Sequence, residues 1–310
     1  MINTVTLNPA IDKVFFVNEL KPNVTNRIQN SIDTIGGKGT HVSINLKLFG
    51  MGSRAFGICY GMTGKRIMEI LNDHELEVHF IHHPQKNSRT NYVIVEESKD
   101  NILLAEKGVS LSYDDLEDFF NLLNKEIKDG DSLVLAGDAS NTPPDVYCRI
   151  IKELEKKNLR VFLDASGQAL KEGICLSPFL IKPNLDELSL LCGRELSSDP
   201  DDIIEAVKSL SHYNVQMIAV SLGKDGSVLF CKEGIFQAKP PEIKVVSSVG
   251  CGDCFLSGIL YGYSSGFSIE ETLRIATGAS ASKAETPFSV GFDPQRMKSL
   301  AALTQLRKIR

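Results

Sequence analysis

The sequence predicts an α/β protein: a mostly parallel sheet flanked by helices, with a small β-sheet beside it. Three observations carry this. Between residues 132 and 221, short apolar β-rich runs alternate with helical patterns, the signature of strands joined by helical crossovers. Two stretches, 14–35 and 90–105, break that rhythm with extended, polar-alternating sequence and no helix between their strands. Two glycine-rich segments, Ile35-Gly36-Gly37-Lys38-Gly39-Thr40 and Val249-Gly250-Cys251-Gly252-Asp253, each open an apolar helical run.

In chain order, residues 2–7 read as a strand, because the run is apolar and β-rich. The stretch 14–35 reads as extended, and 42–49 as a helix behind the first glycine segment. TNYVIVEE and NILLAE, separated by Ser98-Lys99-Asp100, read as a hairpin, which makes the small sheet antiparallel. SLVLA (132–136), 160–163, 179–181 and 217–221 are strands; 143–157, 184–191 and 201–210 are helices. Residues 252–306 are mostly helical, interrupted near Pro287 and Pro294.

The chain has 310 residues, 42% of them hydrophobic, which suffices for a sizeable core without disulfides or a structural metal. A net charge of −5 makes the chain a poor general binder of nucleic acid or anionic membrane, so any anion must meet a local arrangement of donors. No apolar run reaches the roughly 18 residues that span a bilayer, and residues 1–10 lack the layout of a signal peptide. A cytoplasmic location is expected. Seven scattered cysteines suit reduced thiols.

Neither glycine segment is a Walker A loop, since Lys38 is followed by glycine; Gly64-Lys65-Arg66 fails because arginine stands at the hydroxyl position. The dinucleotide pattern fails at Gly250-Cys251-Gly252, where Phe255 replaces the third glycine. The second segment nevertheless makes an anion hole: a helix N-terminus has unpaired N–H groups and a positive dipole end. Asp253 then has two readings, a plain N-cap or a general base beside bound phosphate.

Four segments, in this order and spacing, resemble the phosphofructokinase-B group of the ribokinase-like carbohydrate kinases. They are Thr6-Leu7-Asn8-Pro9-Ala10-Ile11-Asp12, Gly36-Gly37-Lys38-Gly39, Lys182-Pro183-Asn184 with Glu187, and Gly250-Cys251-Gly252-Asp253. Ser221-Leu222-Gly223-Lys224-Asp225-Gly226 adds a weaker fifth. Within the group the chain is most similar to 1-phosphofructokinases and tagatose-6-phosphate kinases. The resemblance implies one ribokinase-like domain over 1–310, with a lid from roughly 12–35 and 89–106 that also serves as a homodimer contact. It implies ATP and Mg²⁺, a ketohexose phosphate as acceptor, and a bisphosphate plus ADP as products.

By the same resemblance, Asp253 is the base, and the backbone of Gly250, Cys251 and Gly252 holds the transferring phosphoryl group. Asn184 and Glu187 organise Mg²⁺, although an N-terminal cap with an acidic first turn explains them as well. Lys182, Ser221, Gly223, Gly226 and Ser280 lie on the nucleotide side; a simple turn also explains 221–226. Asp12, Gly37, Lys38 and His41 face the sugar. Arg27 and Arg89, on the lid stretches, are candidates for the sugar's own phosphate.

Three departures from the family pattern stand out. His41 replaces the usual Asn. Ala136-Gly137-Asp138 replaces Ser-Gly-Ser, so Asp138 either repels a substrate phosphate or turns away and leaves the contact to Ser140. Cys251 and Cys254 replace Ala and Ser; two tolerated thiols is the plain reading, and thiols activated by the helix N-terminus, open to alkylation, is the sharper one. The departures at His41 and Asp138 keep open a sugar-phosphate-binding sensor that has lost catalysis.

Overall fold

The computed structural model describes residues 1–96 and 102–309 of the chain. β1 (Ile2–Thr6) is an interior strand of the main sheet with all five residues buried, because both faces are covered. The chain then leaves for a second sheet as β2 (Ala10–Val17) and β3 (Asn30–Gly36). It returns through α1 (Lys38–Leu48), β4 (Ser53–Tyr60), α2 (Gly61–Asp73) and β5 (Glu77–His83), with β4 parallel to both β1 and β5. β6 (Arg89–Glu96) and β7 (Ile102–Ala105) go back to the small sheet.

After α3 (Tyr113–Glu126) comes the other half of the main sheet: β8 (Ser132–Ala136), α4 (Val146–Glu153), β9 (Arg160–Asp164), α5 (Gly167–Ile174), β10 (Leu180–Ile181), α6 (Leu185–Cys192), α7 (Pro200–Ser209) and β11 (Met217–Ser221). These strands pair in parallel, and β8 lies against β1. β12 (Ser227–Cys231) and β13 (Gly234–Lys239) add antiparallel strands. α8 (Cys251–Ser264), α9 (Ile269–Ala284) and α10 (Pro294–Leu303) then lead to β14 (Gln305–Lys308), which pairs with β13. The resulting order is β14-β13-β12-β11-β10-β9-β8-β1-β4-β5.

The alternation along β8 explains the layering. Leu133 and Leu135 enter one buried cluster, while Val134 and Ala136 enter the other, on the opposite face with Phe255, Ile259 and Leu273 of α8 and α9. Fully burying a side chain such as Leu135 contributes about 1.5–3 kcal/mol. Chain order reverses between β1 and β8, and such switch points at the carboxyl ends of parallel strands are where open α/β sheets leave a crevice.

The ten-stranded, mostly parallel sheet with a separate four-stranded one agrees with the predicted class. The small sheet is not wholly antiparallel, however. β3-β2 and β6-β7 are antiparallel pairs, but β2 and β6 run parallel, with Ala10 beside Arg89. The turn expected at Ser98-Lys99-Asp100 lies outside the described residues. The helix expected over 143–157 is confined to α4 and a following 3₁₀ turn, Glu155–Lys157. Among the described residues, no helix is long and apolar enough to cross a membrane.

Candidate active site

The site assembles where α1 and α8 start, beneath the small sheet. α8 begins after Gly250, whose φ of 82° lies in the left-handed region; a Cβ there would sit 1.8 Å from Ser289 O. The helix has no side-chain cap, which removes the N-cap reading of Asp253. Asp253 lies instead in the first turn, buried, with Oδ2 2.6 Å from His41 Nδ1. Its position also places the carboxylate in the favourable field of the helix N-terminus. The Cys251 N–H already donates to Ser248 O at 3.2 Å; the first-turn N–H groups after it have no partner within the helix by geometry.

His41 is held from both ends, since Nε2 is 2.9 Å from Ile35 O. A carbonyl only accepts, so Nε2 carries a proton, and one further proton is shared between Nδ1 and Asp253. Burial alone would push the imidazole pKa down. The hydrogen bond and charge of Asp253, with help from Asp12 and the Ile35 carbonyl, outweigh burial and hold it above the ordinary value.

A second array, buried at Asp164 and Lys182 and partly exposed at Lys38, runs beside the first. Asp164, at the carboxyl end of β9, is fully enclosed and accepts from Lys38 Nζ at 3.0 Å and lies 3.2 Å from Lys182 Nζ. Burial would raise the Asp164 pKa, but the two ammonium groups hold it below the ordinary carboxylate value. Burial would likewise lower that of Lys38; Asp164, Asp253 and Glu187 outweigh it and keep Lys38 charged. Lys182 is therefore not the exposed lysine that a strand end allows. Its Nζ lies 3.3 Å from where a Cβ on Gly252 would be, so it abuts the first turn of α8. Asp164 was not singled out from the sequence. The available signal was a carboxylate at the end of an apolar strand in a parallel sheet.

On the lid side, Asp12 is buried on β2 and accepts from Asn91 Nδ2 at 2.8 Å. Asn91, on β6, was also missed, since a lone Asn in a strand carries no signal. Gly37 precedes α1 and receives the His41 N–H on its carbonyl at 3.0 Å. Arg89 turns inward: Nε donates to Asn8 O at 3.0 Å, and Nη1 lies 3.2 Å from Asp138 Oδ2. Asp138 also accepts from Asn8 Nδ2 at 3.2 Å and from the Ser140 N–H at 2.8 Å. Asp138 thus turns away and is neutralised by Arg89, while the Ser140 residue is exposed. Arg27 is exposed between β2 and β3 rather than on a strand.

At the start of α6, Asn184 and Glu187 form a reciprocal cap: Asn184 Oδ1 accepts from Glu187 N–H at 2.7 Å, and Glu187 Oε2 from Asn184 N–H at 2.9 Å. The described residues contain no group of three or more His, Cys, Asp or Glu able to cage a metal. A single carboxylate fits Mg²⁺, which keeps several waters and relies on substrate phosphates. Glu187 fits that role, because only one of its oxygens is engaged in the cap and its charge reaches Lys38. The amide oxygen of Asn184 is already engaged. Ser221 is bridged to Asn184, and its N–H donates to Pro183 O at 3.0 Å. Gly223 and Gly226 form a tight turn, with Leu222 N–H donating to Gly226 O at 2.8 Å. Ser280 faces the Cys251 thiol.

The sharper cysteine reading is overturned. Burial pushes the Cys251 thiol up, against the pull of Lys283 and Ser280, and pushes the Cys254 thiol well up. Desolvation outweighs the helix dipole here.

A sequence profile described as pfkB family carbohydrate kinase matches residues 5–289. The chain belongs to the pfkB family of carbohydrate kinases. It is 33% identical over 285 residues to a 1-phosphofructokinase of Bacillus subtilis (strain 168), covering 92% of each chain. Among solved structures, it is 25% identical to phosphofructokinase-2 from Escherichia coli in complex with substrates and products, with a TM-score of 0.90 and coverage of 97% and 98%. The tetrameric inhibited form of the same E. coli enzyme aligns with a TM-score of 0.87 at 25% identity and the same coverage. The fold of this pfkB kinase is thus the ribokinase-like one that the motifs implied.

Proposed function

We propose that this carbohydrate kinase transfers the γ-phosphoryl group of ATP to a hydroxyl of a ketohexose phosphate, of the fructose 1-phosphate or tagatose 6-phosphate type, giving a bisphosphate and ADP. The observation that carries the reading is the buried Asp253–His41 pair in the first turn of α8, beside Lys182. Asp253 takes the hydroxyl proton as the sugar oxygen bonds to the γ-phosphorus and the bond to the ADP oxygen breaks. A loose transition state of this kind needs alignment and charge more than covalent help. The first-turn N–H groups of α8 meet the phosphoryl oxygens, and Lys182 and Lys38 offset their charge. Asp12, fixed by Asn91, accepts from sugar hydroxyls, with Gly37 beside it. Bound Mg²⁺ would neutralise charge on the nucleotide phosphates, with Glu187 holding it through water; the free amide N–H₂ of Asn184 suits a phosphate oxygen. Ser221, Gly223 and Ser280 border the nucleotide.

The inward pairing of Arg89 argues that the sugar phosphate is met elsewhere, with Arg27 and Ser140 as the exposed candidates. The exposed apolar side chains of Ile102, Leu103 and Leu104 on β7 support a homodimer through the lid. A coupled ADP-release assay over fructose 1-phosphate, tagatose 6-phosphate and fructose 6-phosphate tests the function. Turnover with one of them is expected. No turnover together with tight sugar-phosphate binding would favour the sensor.

A further inference from the structure

Lys283, in the last turn of α9, is a buried ammonium that neither Asp253 nor Asp164 pairs. Its side chain has no exposed surface, and among the described residues it has no ion-pair partner. Its Nζ instead lies 3.4 Å from Ser247 O and 3.4 Å from Thr286 O. A lysine buried without a carboxylate is an expensive arrangement. Packing alone would favour an apolar side chain.

The loop does not need it as a tether. Val246 N–H and Ser247 N–H both donate to Ala284 O, at 2.7 and 3.2 Å, and already stitch this loop to the end of α9. What Lys283 adds is charge, and it adds it directly behind the anion hole. A Cβ on Gly250 would lie 3.5 Å from Lys283 Cε, and Asp253, Cys251 and Cys254 all feel its field. An ammonium held by backbone carbonyls is chemically close to a monovalent cation of similar size, whose hydration shell such carbonyls replace.

We propose that Lys283 is a built-in monovalent cation. It supports the N-terminus of α8 against the charge that develops on the transferring phosphoryl group, so that the enzyme needs no free monovalent cation there. This rests on the kinase reading. Lys283 acts through the α8 backbone and is a charge-supplying positioning residue rather than a group that touches substrate.

The test compares the wild type with Lys283→Met, which keeps most of the volume, and Lys283→Ala, which leaves room for an ion. Each is assayed in tetramethylammonium chloride and in KCl at equal ionic strength. The wild type should turn over at the same rate in both salts. Both variants should lose about 100-fold in kcat in tetramethylammonium chloride, as for loss of one preorganised donor. Lys283→Ala should regain at least about 10-fold of that with K⁺ or NH₄⁺, and Lys283→Met should not. Strong stimulation of the wild type by K⁺, full activity of the variants, or a folded Lys283→Ala enzyme that no cation rescues would each overturn the proposal. A thermal melt gives a readout without turnover: K⁺ should raise the Tm of Lys283→Ala and leave that of the wild type unmoved. If no sugar phosphate is turned over, the melt still decides, and an equal K⁺ response in the two proteins would refute it. If neither variant folds, the salt response of the wild type alone decides: K⁺ stimulation of its rate or its Tm refutes the proposal, and indifference supports it.

Discussion

His41→Asn should make stability less dependent on pH above neutrality. His41 and Asp253 side chains are 6% and 7% exposed and meet at 2.6 Å, so the pair is shielded from bulk water. The folded pKa of His41 lies above the reference value of 6.5. Below pH 6.5 both the folded and unfolded chains hold the proton, and its stabilising contribution is complete. As pH rises, the unfolded chain releases the proton first, and stability falls by up to about 1.4 kcal/mol per pH unit until the folded imidazole also titrates. The amide introduced by the substitution cannot titrate, and it leaves either Asp253 or Ile35 O without a donor, at a cost of about 1–3 kcal/mol. Urea denaturation of both proteins between pH 6 and pH 9 measures this. The gap should be widest near pH 6 and narrow as pH rises. A gap that is constant or widens with pH would refute the protonated His41–Asp253 pair.

Other outcomes follow from the same contacts. Asp164→Ala should cost about 3–5 kcal/mol in denaturant unfolding, because it strands two lysines; since the Asp164 pKa is depressed, the wild type should lose this contribution only as pH falls below the reference value of 3.8. Gly36→Ala would put a Cβ 2.2 Å from Asp12 Oδ1, so the KM for sugar should rise at least about 10-fold while the KM for ATP stays within about 2-fold. Iodoacetamide at neutral pH should inactivate the enzyme slowly, with a Cys251→Ala, Cys254→Ser double variant no more than about 2-fold more resistant; rapid, ATP-protected inactivation of the wild type would contradict the raised thiol pKa values.

The strands that the sequence made legible are those of the parallel sheet, because buried strands such as 132–136 are unbroken apolar runs. β14 was not, since QLRK is a short polar edge at the end of a helical region and gains its place only by pairing with β13. The parallel pairing of β2 with β6 was also hidden, because alternation within a strand says nothing about its neighbour's direction. The site divides the same way. Local chemistry marked the α8 loop, yet it left Asp253 between a cap and a base. The contact that bears on this is with His41, 212 positions away. Lys38 reaches Asp164 from 126 positions away, and Lys182 comes from the end of the next strand, so a buried aspartate between two lysines has no local signature. Asn184 and Glu187 illustrate the converse, since the capping box was readable from spacing alone and is present.

The most direct measurement is turnover of Asp253→Asn with its best sugar phosphate, alongside calorimetric binding of ATP. Asn keeps the shape and can still hydrogen-bond to His41, but it cannot accept the hydroxyl proton. The kcat should fall by about 10²–10⁴, with ATP affinity within about 3-fold of the wild type. Near-normal turnover would contradict the role of Asp253 as the base.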